Sequence, residues 1–259
     1  MHTRPYILIC NDDGVFAPGI QNLISIMEDI GDVIVVAPDS PQSGMGHAIT
    51  INSTIRFNSI YHSPTKEIYS CSGTPVDCIK MAMNKLAKRT PDLVVSGINH
   101  GSNSSINVIY SGTMSAAMEG CIEGVPSIGF SLCNHSYEAD FEPSKLYVKK
   151  ITEMVLKNGL PKDICLNVNI PAVSSDKIKG VKICRQARAF WDEELDERLD
   201  PRGGKYYWLT GVFKNQDEGA DTDEWALYND FISIVPIKVD FTAYQALENL
   251  KTWDFTIND

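Results

Sequence analysis

An unbroken apolar run near the start of the chain, Tyr6 to Cys10, ends abruptly at Asn11-Asp12-Asp13-Gly14. A strand with one wet face would alternate apolar and polar residues. This run does not, so it reads as a strand covered on both faces. The pattern recurs: Val33 to Ala37 is a second buried strand, stopped by Pro38, with Leu93 to Ser96 a third and Ser127 to Phe130 a fourth. Helical stretches lie between them. Pro18 and Gly19 open one that ends near Gly31. Another starts with Thr74 as its cap, Pro75 in first position and Asp77 in the first turn. A further helix begins at Thr113 and runs through Ser115-Ala116-Ala117-Met118-Glu119; Gly124 ends it and Pro126 prevents its continuation. Strands alternating with helices predict an α/β fold, a mainly parallel sheet with helices on both faces.

The second half is less regular. Cys165 to Asn169, Val181 to Cys184, Tyr206 to Leu209 and Phe231 to Val235 read as strands, and Asp192 to Asp200 as an acidic, solvated stretch. This half reads as an extension of the main domain, used for substrate contacts or assembly. With 259 residues the chain suits one large α/β domain, and 43% hydrophobic and 22% charged residues are ordinary for a globular protein.

The formal net charge is −10, which argues against a binder of nucleic-acid backbones. An anionic substrate would need local cationic help, from a metal or from helix N-termini. The seven cysteines include no CxxC pair and sit mostly in apolar runs, so reduced, buried thiols are expected rather than disulfides or a zinc site. Met1-His2-Thr3-Arg4-Pro5 leads into an apolar run too short for a signal-peptide core. No apolar stretch approaches the ~20 residues of a membrane span. The expectation is a cytoplasmic protein with neither membrane nor nucleic-acid partners.

Chemistry concentrates at strand ends, where open α/β sheets bind ligands. Asp12 and Asp13 follow the first strand. Two adjacent carboxylates repel each other, and a hard divalent cation would relieve that; a plain turn and helix cap is the alternative. The loop after the second strand, Ala37 to His47, is rich in small residues, and Ser43 could offer a hydroxyl oxygen; an ordinary flexible loop is the competing reading. After the third strand, Ser96-Gly97-Ile98-Asn99-His100-Gly101-Ser102-Asn103 offers amide groups to a metal or a phosphate, unless it is only a polar surface loop. Ser-Gly precedes both Thr74 and Thr113, so either helix start could receive an anion, although simple capping suits Thr74 better. His47 and His100 lie in two of these loops and could shuttle a proton, whereas His2, His62 and His135 have no such context. Walker A, GxGxxG and GxSxG patterns are missing.

Taken together, these segments resemble the SurE family of stationary-phase survival proteins, which are 5′/3′-nucleotidases. The matches are Ile9 to Gly14 with Pro18-Gly19-Ile20, Ala37-Pro38-Asp39 with Ser43 to Thr50, and Ser72-Gly73-Thr74-Pro75 with Asp77-Cys78. Pro91 to Asn99 with Gly101 and Asn103 also match, as does Tyr110-Ser111-Gly112-Thr113 with Ala116-Ala117 and Glu119-Gly120. Weaker matches are Leu166 to Pro171, Asp200 to Gly204 with Tyr206-Tyr207-Trp208, Thr222-Asp223 and Phe231 to Pro236.

The resemblance implies a Rossmann-like fold over 1–259 as a single phosphatase domain, with a metal-binding core at 1–135. Residues 136–259 would complete the core and add a β-rich C-terminal extension. It implies one Mg²⁺ or Mn²⁺ per subunit, held by Asp12, Asp13, Ser43 and Asn99, and a homodimer or tetramer. Substrates would be nucleoside 5′- and 3′-monophosphates and, in some members, short polyphosphate. On this reading metal-activated water attacks phosphorus directly, with Asp12 or Asp13 as proton acceptor. Asn99, Asn103, Ser111, Gly112 and Thr113 would orient the phosphate. Tyr110 or the run Tyr206-Tyr207-Trp208 would stack on the nucleoside. Phe231 to Pro236, read as lying beyond the parallel sheet, would pair with a partner subunit. Two other classes compete: an aspartyl-nucleophile phosphatase, and a non-catalytic nucleotide-binding stress protein.

Overall fold

The computed structural model describes residues 4–256, so the readings of His2 and of the first three residues lie outside the described residues. The first half runs β1 (Tyr6–Cys10), α1 (Pro18–Glu28), β2 (Asp32–Pro38), β3 (Phe57–His62), β4 (Lys66–Cys71), α2 (Pro75–Met81), β5 (Leu93–His100), α3 (Asn107–Tyr110), α4 (Gly112–Ile122) and β6 (Ser127–Leu132). The second half adds α5 (Glu142–Asn158), β7 (Ile164–Ile170), β8 (Val181–Ile183), β9 (Ala189–Leu199), β10 (Lys205–Asn215), α6 (Asp223–Tyr228), β11 (Ile232–Lys238) and α7 (Tyr244–Leu250).

Nine strands form one sheet in the order β3-β4-β2-β1-β5-β6-β7-β11-β8. It is mainly parallel; only the β3–β4 and β7–β11 pairs are antiparallel. The expected double burial of the first strand is met by two different helix layers. Ile7 and Ile9 pack with Ile20, Leu23 and Met27 of α1 and Val148 and Ile151 of α5. Leu8 and Cys10 face the other way, toward Cys78 and Ile79 of α2 and Ala116 of α4. Each fully buried aliphatic side chain stabilises by about 1.5–3 kcal/mol, so truncating Leu8 to Ala would cost about 2–5 kcal/mol.

Several boundaries differ from the sequence reading. The third strand continues through Asn99 to His100, with a register shift against β6 between Ser96 and Asn99. Apolar periodicity stops at Ile98, so composition alone suggested an earlier end. Helix α4 is capped by Ser111, whose hydroxyl accepts from Met114 N at 3.0 Å, and therefore starts at Gly112 rather than Thr113. Asp192 to Asp200 is solvated as expected, but its residues up to Leu199 form a strand paired in full register with β10. Charged side chains on both faces of a two-stranded ribbon hid that strand. The sequence reading missed β3, all of whose residues are exposed, and β4 beside it. It also missed α5, an amphipathic helix that buries Val148, Ile151 and Val155 at helical spacing and ends at Gly159.

The expectation for Phe231 to Pro236 needs correction. The strand lies within the nine-stranded sheet, antiparallel to β7 over Ser233 to Lys238 and parallel to β8 over Ile232 to Ile234, so β8 covers its first half and only the stretch from Val235 onward is without a second strand partner among the described residues. The β9–β10 ribbon forms a separate two-stranded sheet. Among the described residues no helix is long and apolar enough to cross a membrane.

Candidate active site

Strand β1 delivers Asn11 and Asp12 to the carboxyl edge of the sheet, between β2 and β5. Gly14 takes a left-handed φ of 102°, which lets the chain turn back so that Val15 N donates to Pro38 O at 2.9 Å. The Asp12 carbonyl accepts from Gln42 N at 2.7 Å, tying the Ser43 loop to the Asp pair.

The Asp12 carboxylate is buried and accepts a hydrogen bond from the Thr113 hydroxyl. Burial, reinforced by the neighbouring Asp13 charge, pushes its pKa up to about 6. Gly112 explains how α4 comes so close: a Cβ there would lie 2.6 Å from Asp12 Cβ. The α4 N-terminus, with its positive dipole end, is thus set against Asp12. Asn99 donates from Nδ2 to Gly101 O at 2.8 Å, which leaves Oδ1 facing Thr113 Oγ1 at 3.4 Å. Asp13 is partly buried, with Oδ2 3.1 Å from His100 Nδ1.

These groups open onto a cavity of about 550 Å³. Asp12, Ser43, Asn99, Asn103, Ser111 and Tyr110 line it, so the structure brings together residues from four separate segments. Asp13 is not among the residues lining the cavity, but its carboxylate meets His100, which is. Asn103 is more committed than expected. Its Nδ2 donates to Ser131 Oγ at 2.8 Å, its backbone N to Asn169 Oδ1 at 2.7 Å, and its carbonyl accepts from Asn167 Nδ2 at 2.8 Å. These bonds hold the loop in place, and Asn167 and Asn169 are positioning residues that sequence patterning inside an apolar strand did not flag. Thr113 is wholly buried and reaches the site only through Asp12 and Asn99.

His47 is not brought to the cavity; its Nε2 donates to Glu119 Oε2 at 2.9 Å. The Thr74 start is a capping box with Asp77, as simple capping predicted. Tyr206, Tyr207 and Trp208 are exposed on the ribbon and do not line the cavity. Trp191 and Phe213, a cross-strand pair nearer the ribbon base, take that place together with Glu224. Sequence reasoning missed all three.

The donor set suits a hard cation. Among the described residues no three His, Cys, Asp or Glu side chains gather into a metal group, so the Asp pair would be completed by neutral oxygens such as those of Ser43 and Asn99. Two further facts favour positive charge here. Asn11 Oδ1 is buried without a partner, and no Lys or Arg is among the residues lining the cavity. All seven cysteines are unpaired, and six are buried.

Comparison with known proteins adds to this geometry. Residues 7–193 match the family model described as survival protein SurE. The chain is 59% identical to the 5′-nucleotidase SurE of Flavobacterium psychrophilum, over 97% of this chain and 98% of the relative. It is 61% identical to the 5′-nucleotidase SurE of Flavobacterium johnsoniae, over 96% and 97% of the two chains. The crystal structure of the SurE protein from Aquifex aeolicus superposes with a TM-score of 0.83 at 38% identity, covering 95% of this chain and 98% of that one.

Proposed function

We propose a function from one premise: the chain belongs to the SurE family. It is a 5′-nucleotidase that hydrolyses nucleoside 5′-monophosphates, and 3′-monophosphates as well, to nucleoside and phosphate. The observation that carries this reading is the buried Asp12 carboxylate, placed beside Asp13, the α4 N-terminus and Asn99 Oδ1 at the wall of a nucleotide-sized cavity.

Asp12, Asp13, Ser43 and Asn99 would hold one Mg²⁺ or Mn²⁺. Bound there, the cation neutralises phosphate charge and acidifies the attacking water. The chain's own residues do the rest. The N–H groups at Ser111 and Gly112 receive phosphate oxygens, while the backbone N–H of Thr113 bonds to the Asp12 carboxylate. One carboxylate of the Asp12–Asp13 pair accepts the water's proton. Thr113 keeps the Asp12 carboxylate oriented. Neither Asp acts as a nucleophile. An aspartyl-phosphate enzyme needs a second acid two residues further on, and here Gly14 follows Asp12 at that spacing while Val15 follows Asp13.

Assembly into a homodimer or tetramer is part of the proposal. It is supported by the β9–β10 ribbon, whose Leu195, Leu199 and Leu209 share one exposed face. Cytoplasmic residence is supported by the unpaired cysteines.

The test is phosphate release from nucleoside monophosphates with added Mn²⁺ or Mg²⁺, with and without chelator. Many turnovers that stop with chelator are expected. Saturable nucleotide binding without release would favour the stress-protein alternative, and full turnover by metal-stripped protein would overturn the metal assignment.

A further inference from the structure

Glu224 is the second carboxylate lining the cavity, and the hydrolysis above gives it no task. It stands on α6, which is anchored firmly. The Asp223 side chain accepts from Ser105 N and from Ala187 N, each at 2.8 Å. The Glu224 Oε1 accepts from the buried Ser104 hydroxyl. Its Oε2 has no hydrogen-bond partner among the described residues, and no Lys, Arg or His pairs with it there. It is also absent from the buried, unsatisfied polar atoms, so it opens to the cavity. Burial raises the Glu224 pKa, the Ser104 bond opposes that, and the Asp223 charge adds to it.

One stretch of chain orders the cavity wall. Asn99 faces the Asp12 cluster, Ser104 grips Glu224, and Asn107 accepts from Trp191 Nε1 at 2.8 Å. Trp191 in turn meets Phe213 edge-on, with ring centroids 5.5 Å apart, and both are half-exposed toward the cavity side of the ribbon. Along this stretch Ser104, which grips the carboxylate, comes between Asn99 at the phosphate end and Asn107 at the aromatic end. In a nucleotide the sugar occupies that middle position, between phosphate and base.

We propose that Glu224 is a specificity-determining residue that reads the ribose, its free carboxylate oxygen accepting hydrogen bonds from the sugar hydroxyls while the base rests on Trp191 and Phe213. This rests on the nucleotidase reading. An unpaired carboxylate is a strong acceptor for hydroxyl donors, and a sugar lacking them would leave it desolvated without compensation. The side chain also repels a second phosphate group at that position, which suits a monophosphate site.

The experiment compares kcat/KM for a nucleoside 5′-monophosphate and its 2′,3′-dideoxy counterpart, same base, in the wild type, Glu224→Ala and Glu224→Gln. The wild type should prefer the ribonucleotide by about 10-fold or more. Glu224→Ala should bring the ratio to about 1, and Glu224→Gln, which keeps an acceptor oxygen, should restore part of it. A ratio is unaffected by any uniform loss of activity. Should the variants fail to fold, inhibition of wild-type aryl phosphate hydrolysis supplies the same readout: adenosine should inhibit about 10-fold more strongly than 2′,3′-dideoxyadenosine. Nucleotide hydrolysis without sugar discrimination, or a ratio unmoved in Glu224→Ala, would overturn the ribose assignment and leave the nucleotidase reading standing. Hydrolysis of aryl phosphate with no hydrolysis of any nucleotide would overturn both.

Discussion

Glu119 Oε2 and His47 Nε2 lie 2.9 Å apart, and this contact ties the loop that carries Ser43 to the helix that carries Thr113. Glu119 is only 3% exposed and also takes the Lys80 ammonium of α2. Burial alone would raise its carboxyl pKa; the His47 and Lys80 hydrogen bonds outweigh that and hold it below the ordinary range.

A depressed carboxylate pKa stabilises the folded state above the unfolded value, and the benefit is lost as pH falls through the folded one. Glu119→Gln should therefore lower unfolding stability at neutral pH by about 1–3 kcal/mol, the scale of hydrogen bonds to a charged group. The gap between wild type and variant should narrow below about pH 4, under the ordinary Glu range. Denaturant melts across pH check this; a gap that stays constant into acid would show that the carboxylate's charge is not what stabilises.

Thr113→Val keeps the shape of the side chain but removes the hydroxyl that Asp12 accepts. The rate should fall about 10- to 100-fold, and Thr113→Ser should recover most of it. Steady-state kinetics with a metal titration would separate loss of rate from loss of metal affinity. An unchanged rate in the valine variant would mean that Asp12 is oriented by other contacts.

Asp12→Asn and Asp13→Asn should each lose metal affinity and turnover together, by about 10²-fold or more. Isothermal titration with Mn²⁺ follows the first and phosphate release the second. Rapid acid quench with labelled substrate tests the chemistry itself: label kept on Asp12 or Asp13 would establish a covalent route in place of direct attack by water.

The Leu195–Leu209 pair faces solvent on the ribbon, at 64% and 68% exposure. Leu209→Asp should disperse the proposed oligomer. Light scattering should report a multiple of the chain mass for the wild type and the single-chain mass for the variant at micromolar concentration. A wild-type monomer would remove the assembly proposal, and a wild-type oligomer that survives Leu209→Asp would place its interface elsewhere.

What the sequence determined by itself was local. Continuous apolar runs at Tyr6 to Cys10, Val33 to Ala37 and Leu93 to Ser96 required strands buried on both faces, because nothing in them could face water. Thr74-Pro75 and the Ser111-Gly112-Thr113 step marked helix starts, because caps act within one turn. Asp12 and Asp13 stood out because they follow directly on an apolar strand, and Asn99 because it follows an apolar run, although the strand itself continues to His100. Tertiary structure decided the rest. That β11 is an inner strand follows from its two partners, β7 and β8, one antiparallel and one parallel, and no local pattern encodes neighbours. The wall formed by Ser104, Trp191, Phe213 and Glu224 depends on contacts across tens to more than a hundred residues of chain, such as Ser104 to Glu224 at a separation of 120. Each of those residues looks ordinary in its own segment; only packing of the second half against the strand ends gives them one cavity to share.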